Sequence, residues 1–441
     1  MNKNGLLLIL FVLFLCRNAG SSFPGISDHD AAGSDTLFIP YHTLQTDQDL
    51  DLLLKDIGNA KIVLLGESTH GTHEFYEWRA MISKRLIEEK GFNFIAIEGD
   101  WVDSWRVNQF IKGAQRDSQS AIKVLRQYDR WPSYMWANLE MMKFISWLNG
   151  YNQQHDQKIG FYGLDLYSFW EWTEHDLPVK DPVLQSAMEK IRDFFAPFDN
   201  DALKYASALR EGVGSGAGVV KNFGERVREI LGSKGPVNET QFRLQEQAFL
   251  AIDGERYFRS STTDFIQALN IRDAHMAASL GRILKLYGKN TRAIVWAHNG
   301  HAGDTRYSDP GNNGYTSMGE ILRNEWGQKN VYSAGFGTYK GFVTAAYAWG
   351  GSVKIQSVLP AKAGSWEALL HELNNENKLI LSKDIRNINS LNKWIEFRSI
   401  GAAYPGAAIY NYSIMPRRFD AFLFIDSTTA TSVISDTGIS K

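Results

Sequence analysis

The chain has 441 residues, 44% hydrophobic and 22% charged, with 47 basic against 49 acidic side chains. That balance suits a large packed core and gives no basic stripe, so nucleic-acid binding is not expected. Recurring apolar segments almost to the C-terminus exclude long disorder, and the length allows one large domain or two ordinary ones.

The chain opens with a Lys-bearing Met1–Asn4, an apolar run from Leu6 to Leu15, and the small polar stretch Ala19-Gly20-Ser21-Ser22. This is the layout of a cleaved signal peptide over residues 1–21, and an exported, periplasmic or secreted protein is expected. The apolar run is short for a membrane span, so an uncleaved anchor is the weaker reading and the mature chain has no expected span. Cys16 is the sole cysteine. Leu13 sits three residues before it, as at a lipid-attachment site, but Phe14-Leu15 is bulky where such sites want small residues. Cleavage would leave no cysteine, which removes thiol catalysis, zinc–thiolate sites and iron–sulfur clusters.

Residues 22–36 are rich in Gly, Ser and Asp and read as a flexible segment; one catalytic domain is expected over 37–441. Lys61–Leu65 is a short buried strand. Phe75, Trp78, Ile82 and Leu86 then recur as a helix face. Arg79 falls on that apolar face, where an arginine needs a carboxylate, Glu67 or Glu98. Phe92–Ile97 is a second strand, and Trp131–Tyr151 reads as a helix. Ile159–Leu164 is a third strand. From about 182 to 288 the pattern is helical, a subdomain or insertion. Thr291–Ala297, Val331–Phe336 and Phe419–Ile425 complete the strands. Gly214–Gly218 and Gly335-Phe336-Gly337 read as turns. Alternating strands and helices predict an α/β fold, a mainly parallel sheet flanked by helices.

Ligands of such sheets bind beyond the carboxyl ends of the strands. Here those ends carry Glu67 to His70, Glu98 to Asp100, Asp165, His298 to His301, and Asp426. Five successive ionisable strand ends predict one cluster. Each member has a plain alternative: Glu67 as a helix N-terminal charge, Ser68 and Thr69 as caps, His70 as a loop histidine, Arg272-Asp273 as a surface pair. The 13 Trp, 18 Tyr and 25 Phe make a large aromatic core, or a pocket for a partly apolar ligand with Trp101, Asp165 and Arg272 as substrate contacts. The absence of a Gly-x-Ser-x-Gly elbow, a Walker A loop and a His-Glu-x-x-His motif argues against a serine hydrolase, a P-loop enzyme and a zincin.

Gly66-Glu67-Ser68-Thr69-His70-Gly71-Thr72 with Glu74-Phe75, Glu89-Lys90-Gly91-Phe92 running into Ile95-Ala96-Ile97-Glu98, and Trp296-Ala297-His298-Asn299-Gly300-His301 resemble the signatures of the erythromycin esterase family. Tyr162 to Asp165, Arg272-Asp273 and Phe419-Asp420-Ala421 support the match, which spans nearly the whole mature chain. The resemblance implies hydrolysis of the macrolactone ester of erythromycin-like antibiotics, and hence resistance. It places the functional residues at Glu67, His70, Arg79, Glu98, His298 and His301. The signal peptide departs from the best-known members, which act inside the cell.

On this reading His70 removes a proton from water, Glu67 or Glu98 orients it, His298 and His301 stabilise the oxyanion or protonate the leaving group, and Arg79 holds the carboxylates. No cofactor is required, although the histidines and carboxylates could instead hold a divalent metal such as zinc or manganese. Two rivals remain: an exported esterase or lactonase acting on another ester, such as one on envelope polysaccharide, and a haem- or small-ligand-binding protein. The oligomeric state is not readable.

Overall fold

The computed structural model describes residues 38–440 apart from 114–117, 175, 176, 178, 200, 436 and 437. The expected signal peptide, Cys16 and most of the leading flexible segment therefore lie outside the described residues.

Eleven strands concern the fold: β1 (His42–Thr43), β2 (Ile62–Leu65), β3 (Phe94–Asp100), β4 (Gly160–Asp165), β5 (Ala293–Trp296), β6 (Val331–Ala346), β7 (Val353–Val358), β8 (Lys378–Leu381), β9 (Ile395–Ser399), β10 (Ile409–Ser413) and β11 (Ala421–Thr428). The main sheet runs β1-β8-β11-β6-β2-β5-β3-β4, with β7 paired to β6. Strands β4, β3, β5, β2, β6 and β11 are parallel to their neighbours in that row. Strands β8, β1 and β7 are antiparallel additions. The expected α/β architecture is therefore present. Its antiparallel strands, β1, β7 and β8, were not read from the sequence.

The long helices up to the fifth strand are α1 (Asp51–Ile57), α2 (His73–Lys90), α3 (Trp101–Lys112), α4 (Ser118–Leu125), α5 (Leu139–Gln154), α6 (Pro182–Phe195), α7 (Ala202–Arg210), α8 (Ala217–Leu231), α9 (Glu239–Ser260) and α10 (Phe265–Tyr287). Side chains of a strand alternate between the two faces of its sheet. Val63, Leu65, Ile95, Ile97 and Trp296 accordingly join a core with α2 and α5. Ile62, Leu64, Phe94, Ala96 and Val295 face the opposite way, into a core with α6–α10. The helical stretch of residues 182–287 thus covers one face of the sheet.

Two readings need correction. The helix expected over Trp131–Tyr151 begins at Leu139, because Asn138 caps it by accepting the Met141 N–H at 2.8 Å. Before that cap the chain forms only a short turn, Ser133–Met135, after Pro132. Gly335-Phe336-Gly337 is not a turn but the middle of β6. The rings of Phe419 and Phe422 lie where Cβ atoms of Gly335 and Gly337 would project, so glycine there serves ring packing.

Candidate active site

The strand order β2-β5-β3-β4 sets four parallel carboxyl ends side by side, at roughly 4.8 Å intervals. The β2 end delivers Glu67 and His70, the β5 end His298 and His301, the β3 end Glu98 and the β4 end Asp165. Behind them α2 supplies Arg79, and α10 supplies Arg272 and Asp273.

Glycines permit the close approach. A Cβ on Gly66 would lie 2.1 Å from Asn299 Oδ1, and one on Gly71 would lie 1.9 Å from the Thr344 carbonyl. The Asn299 amide donates to the Glu67 carbonyl at 2.8 Å, and its side chain donates to the Phe336 carbonyl at 2.7 Å. The loops after β2 and β5 are thereby stitched to each other and to β6.

Glu67 is buried and divided between two partners. Its Oε1 is 3.0 Å from His70 Nδ1, and its Oε2 accepts from Arg79 Nη2 at 2.7 Å. Arg79 is fully buried, its guanidinium carbon 4.5 Å from the Tyr76 ring centre and 4.8 Å from that of Trp296. The Tyr76 hydroxyl donates to the His70 carbonyl at 2.8 Å. A carboxylate at Nδ1 makes that nitrogen the donor and leaves the lone pair of a neutral His70 on Nε2.

The His298 ring centre is 5.0 Å from that of His70. His298 Nδ1 accepts the Gly300 N–H at 3.1 Å, which assigns the ring proton of the neutral form to Nε2. That Nε2 is buried and, among the described residues, has no hydrogen-bond partner. Burial, with His70 adding to it, pushes His298 down to about 3 against the opposing pull of Glu98 and the Ser68 carbonyl. His298 is thus a neutral donor whose Nε2–H is drawn toward the Ser68 carbonyl without forming a full hydrogen bond.

The third histidine is placed differently. His301 Nδ1 is 2.8 Å from Asp273 Oδ1, and its Nε2 is 3.1 Å from Glu98 Oε1 and 2.9 Å from Arg272 Nη1. Burial opposes its charge, but Asp273 and Glu98 outweigh burial and raise it to about 10. Glu98 Oε1 accepts from Arg272 Nη2 at 2.8 Å, and Oε2 accepts the His298 backbone N–H at 2.7 Å. Burial would raise the Glu98 carboxyl; His301 and Arg272 hold it well below the usual range instead. Arg272 also grips Asp165 with two hydrogen bonds, of 2.9 and 2.5 Å.

Eight of the nine expected site residues therefore meet: Glu67, His70 and Arg79 in one group, Glu98, Asp165, Arg272 and His301 in a second, and His298 between them. Trp101 does not join them. It is buried in the core, stacked between Trp105 and Tyr162 with Phe242 at its edge, because it opens α3 on the face turned to α9. Asp426 lies inside β11 and binds His371 Nδ1 at 2.6 Å, apart from the cluster. Glu67, not Glu98, contacts His70. Both ring nitrogens of His301 are engaged, so it is not placed as a free oxyanion donor.

Asp273 was read only as one half of an Arg272-Asp273 pair that either reaches the site or lies at the surface, and Tyr315 was missed. Asp273 is fully buried and accepts from His301, from the Tyr315 hydroxyl at 3.0 Å and from the Met318 amide at 2.7 Å. A signal existed: neighbours i and i+1 on a helix point about 100° apart, so Arg272 and Asp273 cannot satisfy each other. Tyr315 follows Asn312-Asn313-Gly314, where no periodicity marks it.

Among the described residues no three His, Cys, Asp or Glu side chains are arranged to hold a metal ion. The ring nitrogens and carboxylates are bonded to one another, and a divalent ion would have to displace those bonds. The donor set as it stands does not fit such a site.

A family model described as erythromycin esterase matches residues 87–428. The match includes Glu98, Asp165, Arg272, Asp273, His298 and His301, and starts after Arg79. Erythromycin esterase type II of Escherichia coli is 23% identical over 435 residues, covering 90% of this chain and 97% of that protein. Among solved structures, a succinoglycan biosynthesis protein superposes with a TM-score of 0.71 at 21% identity, covering 89% of this chain and 95% of its own. A Bacillus cereus protein gives 0.70 at 19% identity, covering 90% and 97%. The erythromycin esterase EreC, a mutant in an open conformation, gives 0.64 at 17% identity, covering 88% and 98%.

Proposed function

Because the chain belongs to the erythromycin esterase family, and is thereby a hydrolase of the esterase type, we propose that it opens the lactone ring of erythromycin-like macrolides. The observation that carries the mechanism is the Glu67–His70 pair beside the His298 Nε2–H, which makes no full hydrogen bond.

His70 Nε2 takes a proton from a water molecule, whose oxygen attacks the ester carbonyl carbon. Glu67 stabilises the imidazolium that forms, and Arg79 keeps Glu67 aimed. The carbonyl oxygen gains the negative charge and accepts a hydrogen bond from His298 Nε2–H. The tetrahedral intermediate collapses with cleavage of the carbon–oxygen ester bond. His70 returns its proton to the departing alkoxide, leaving a hydroxyl and a carboxylic acid on the opened chain. The apolar run Leu6–Leu15 followed by Ala19 to Ser22 supports export, so that the reaction would destroy the antibiotic outside the cytoplasm and confer resistance.

The test is mass spectrometry of erythromycin incubated with the protein and with its His70→Ala variant. A product heavier by one water, formed by the parent and lost in the variant, is expected. No product from folded parent protein would overturn the macrolide assignment. An ester carried on a polysaccharide is the second reading, motivated by the fold shared with a succinoglycan biosynthesis protein. Release of acyl acid from acylated exopolysaccharide would support it.

A further inference from the structure

His298 and His301 are three residues apart, on one four-residue helical turn and its cap, yet their surroundings oppose each other. His298 faces another imidazole, and its Nε2 is buried without a hydrogen-bond partner among the described residues. His301 is enclosed by Asp273 and Arg272 of α10, Glu98 of β3 and the Tyr315 hydroxyl. Asp165 lies one residue further, behind Arg272.

We propose that Asp273 is a positioning residue that holds His301 as an imidazolium, and that this cation braces Glu98 under the His298 backbone. The assignment rests on the reading of His298 as the oxyanion donor.

Charge counting supports it. Arg272 and Asp165 form a two-point ion pair and cancel. Glu98 and Asp273 remain, two buried carboxylates with one imidazole between them. A neutral ring would leave two enclosed negative charges, which a low-dielectric site penalises heavily. A protonated ring donates from Nδ1 to Asp273 and pairs through Nε2 with Glu98 at 3.1 Å, which leaves one; Arg272 Nη1, 2.9 Å from the same Nε2, opposes the cation and is outweighed by the two carboxylates. Burial of the cation is outweighed by these carboxylates, in the direction already described. Asp273 is itself fixed by Tyr315 and the Met318 amide, so its carboxylate cannot swing away.

The mechanical consequence follows from the bonds. Glu98 Oε1 is held by His301 and Arg272, and its Oε2 seats the His298 N–H. If His301 loses its proton, Nε2 becomes an acceptor for Arg272 Nη1, and Glu98 loses one of its two donors at Oε1. The backbone under the His298 donor is then held less firmly.

The experiment labels the full chain with 15N-histidine and records ring 15N–1H correlations at pH about 8, above the ordinary histidine pKa of about 6.5. His301→Gln assigns the signal. In the parent, both His301 nitrogens are expected to carry protons. In Asp273→Asn they are expected to show a neutral ring, while Tyr315→Phe, which keeps the carboxylate, is expected to preserve the imidazolium. With erythromycin as substrate, Asp273→Asn should lower kcat about 10- to 100-fold with KM little changed, and move the alkaline limb of kcat to lower pH. A neutral His301 in the parent overturns the proposal, whether or not Asp273→Asn folds. So does an imidazolium that survives Asp273→Asn. Parent protein that leaves erythromycin intact contradicts the substrate assignment, while the ring protonation seen by NMR still decides the role of Asp273.

Discussion

The two ends of the parallel strands carry similar inventories of charge and use them differently. At the amino ends, Lys383 binds Asp56 at 2.6 Å, the Tyr332 hydroxyl binds the same carboxylate at 2.7 Å, and Arg323 binds Asp420 at 2.6 Å. Asp420 also accepts the Ser333 amide at 2.9 Å, which ties the start of β11 to the start of β6. Asp56 and Asp420 each have a permanent cation; the histidine at that end, His42, meets Asp384 at 3.3 Å, with both side chains about a third exposed. At the carboxyl ends three imidazoles stand among the carboxylates, one donating to a carboxylate from Nδ1, one neutral with an N–H that makes no full hydrogen bond, and one enclosed by two anions. Charge density does not distinguish a functional edge from a structural one. Imidazoles whose neighbours hold them in different protonation states do.

Four perturbations sharpen or break that comparison. The largest effect belongs to His70→Ala, expected to lower kcat roughly 10³-fold with little change in melting temperature. Turnover of erythromycin beside thermal unfolding measures both, and near-parent turnover would remove His70 as the base. Arg79→Met should act on stability and rate together. It strands Glu67 without its buried cation, at about 3–5 kcal/mol, and frees the carboxylate that aims His70. Denaturant unfolding and kcat per folded molecule are expected to fall together.

At the opposite end, Arg323→Met should cost roughly 2–3 kcal/mol, less than for a fully enclosed pair because Asp420 keeps some exposure. Its kcat per folded molecule should match the parent; a large loss would erase the distinction between the two ends. The smallest effect concerns His73, at the start of α2, whose ring is 2.6 Å from Glu140 and 3.0 Å from Glu77. The hydrogen bond that its ring N–H donates to Glu140 raises its pKa against a smaller desolvation penalty. Its contribution is therefore full below the unfolded value of about 6.5 and is lost as pH rises through the higher folded value. Melting temperature should decline gently over that window in the parent and stay flat there in His73→Gln.

Much of this was legible in the order of residues. Strand ends are marked by the switch from an apolar run to Gly-Glu, His-Asn or Asp, and the α2 face by Phe75, Trp78, Ile82 and Leu86. Arg79 stood out because an arginine on an apolar stripe requires a buried anion. The reading failed where spacing is shared by different structures. Met135 continues the periodicity of α5 but belongs to the turn before Asn138. Trp101 follows a strand end, as a ligand contact would, but its side chain turns into the α6–α10 core.

Residue order marked four of the five ionisable strand ends, because hydrophobic burial sets where each strand lies and a polar residue following it emerges at the edge; Asp426 escaped this rule by lying inside β11. It also placed Arg79 indoors. The partnerships came from the folded chain: Glu67 rather than Glu98 on His70, Asp273 behind His301, and a buried Nε2 on His298 without a full hydrogen bond. Those depend on β5 inserting between β2 and β3, and on α10 returning across the sheet. Proton affinity follows charges within a few ångströms, and here those charges come from residues far apart in the chain.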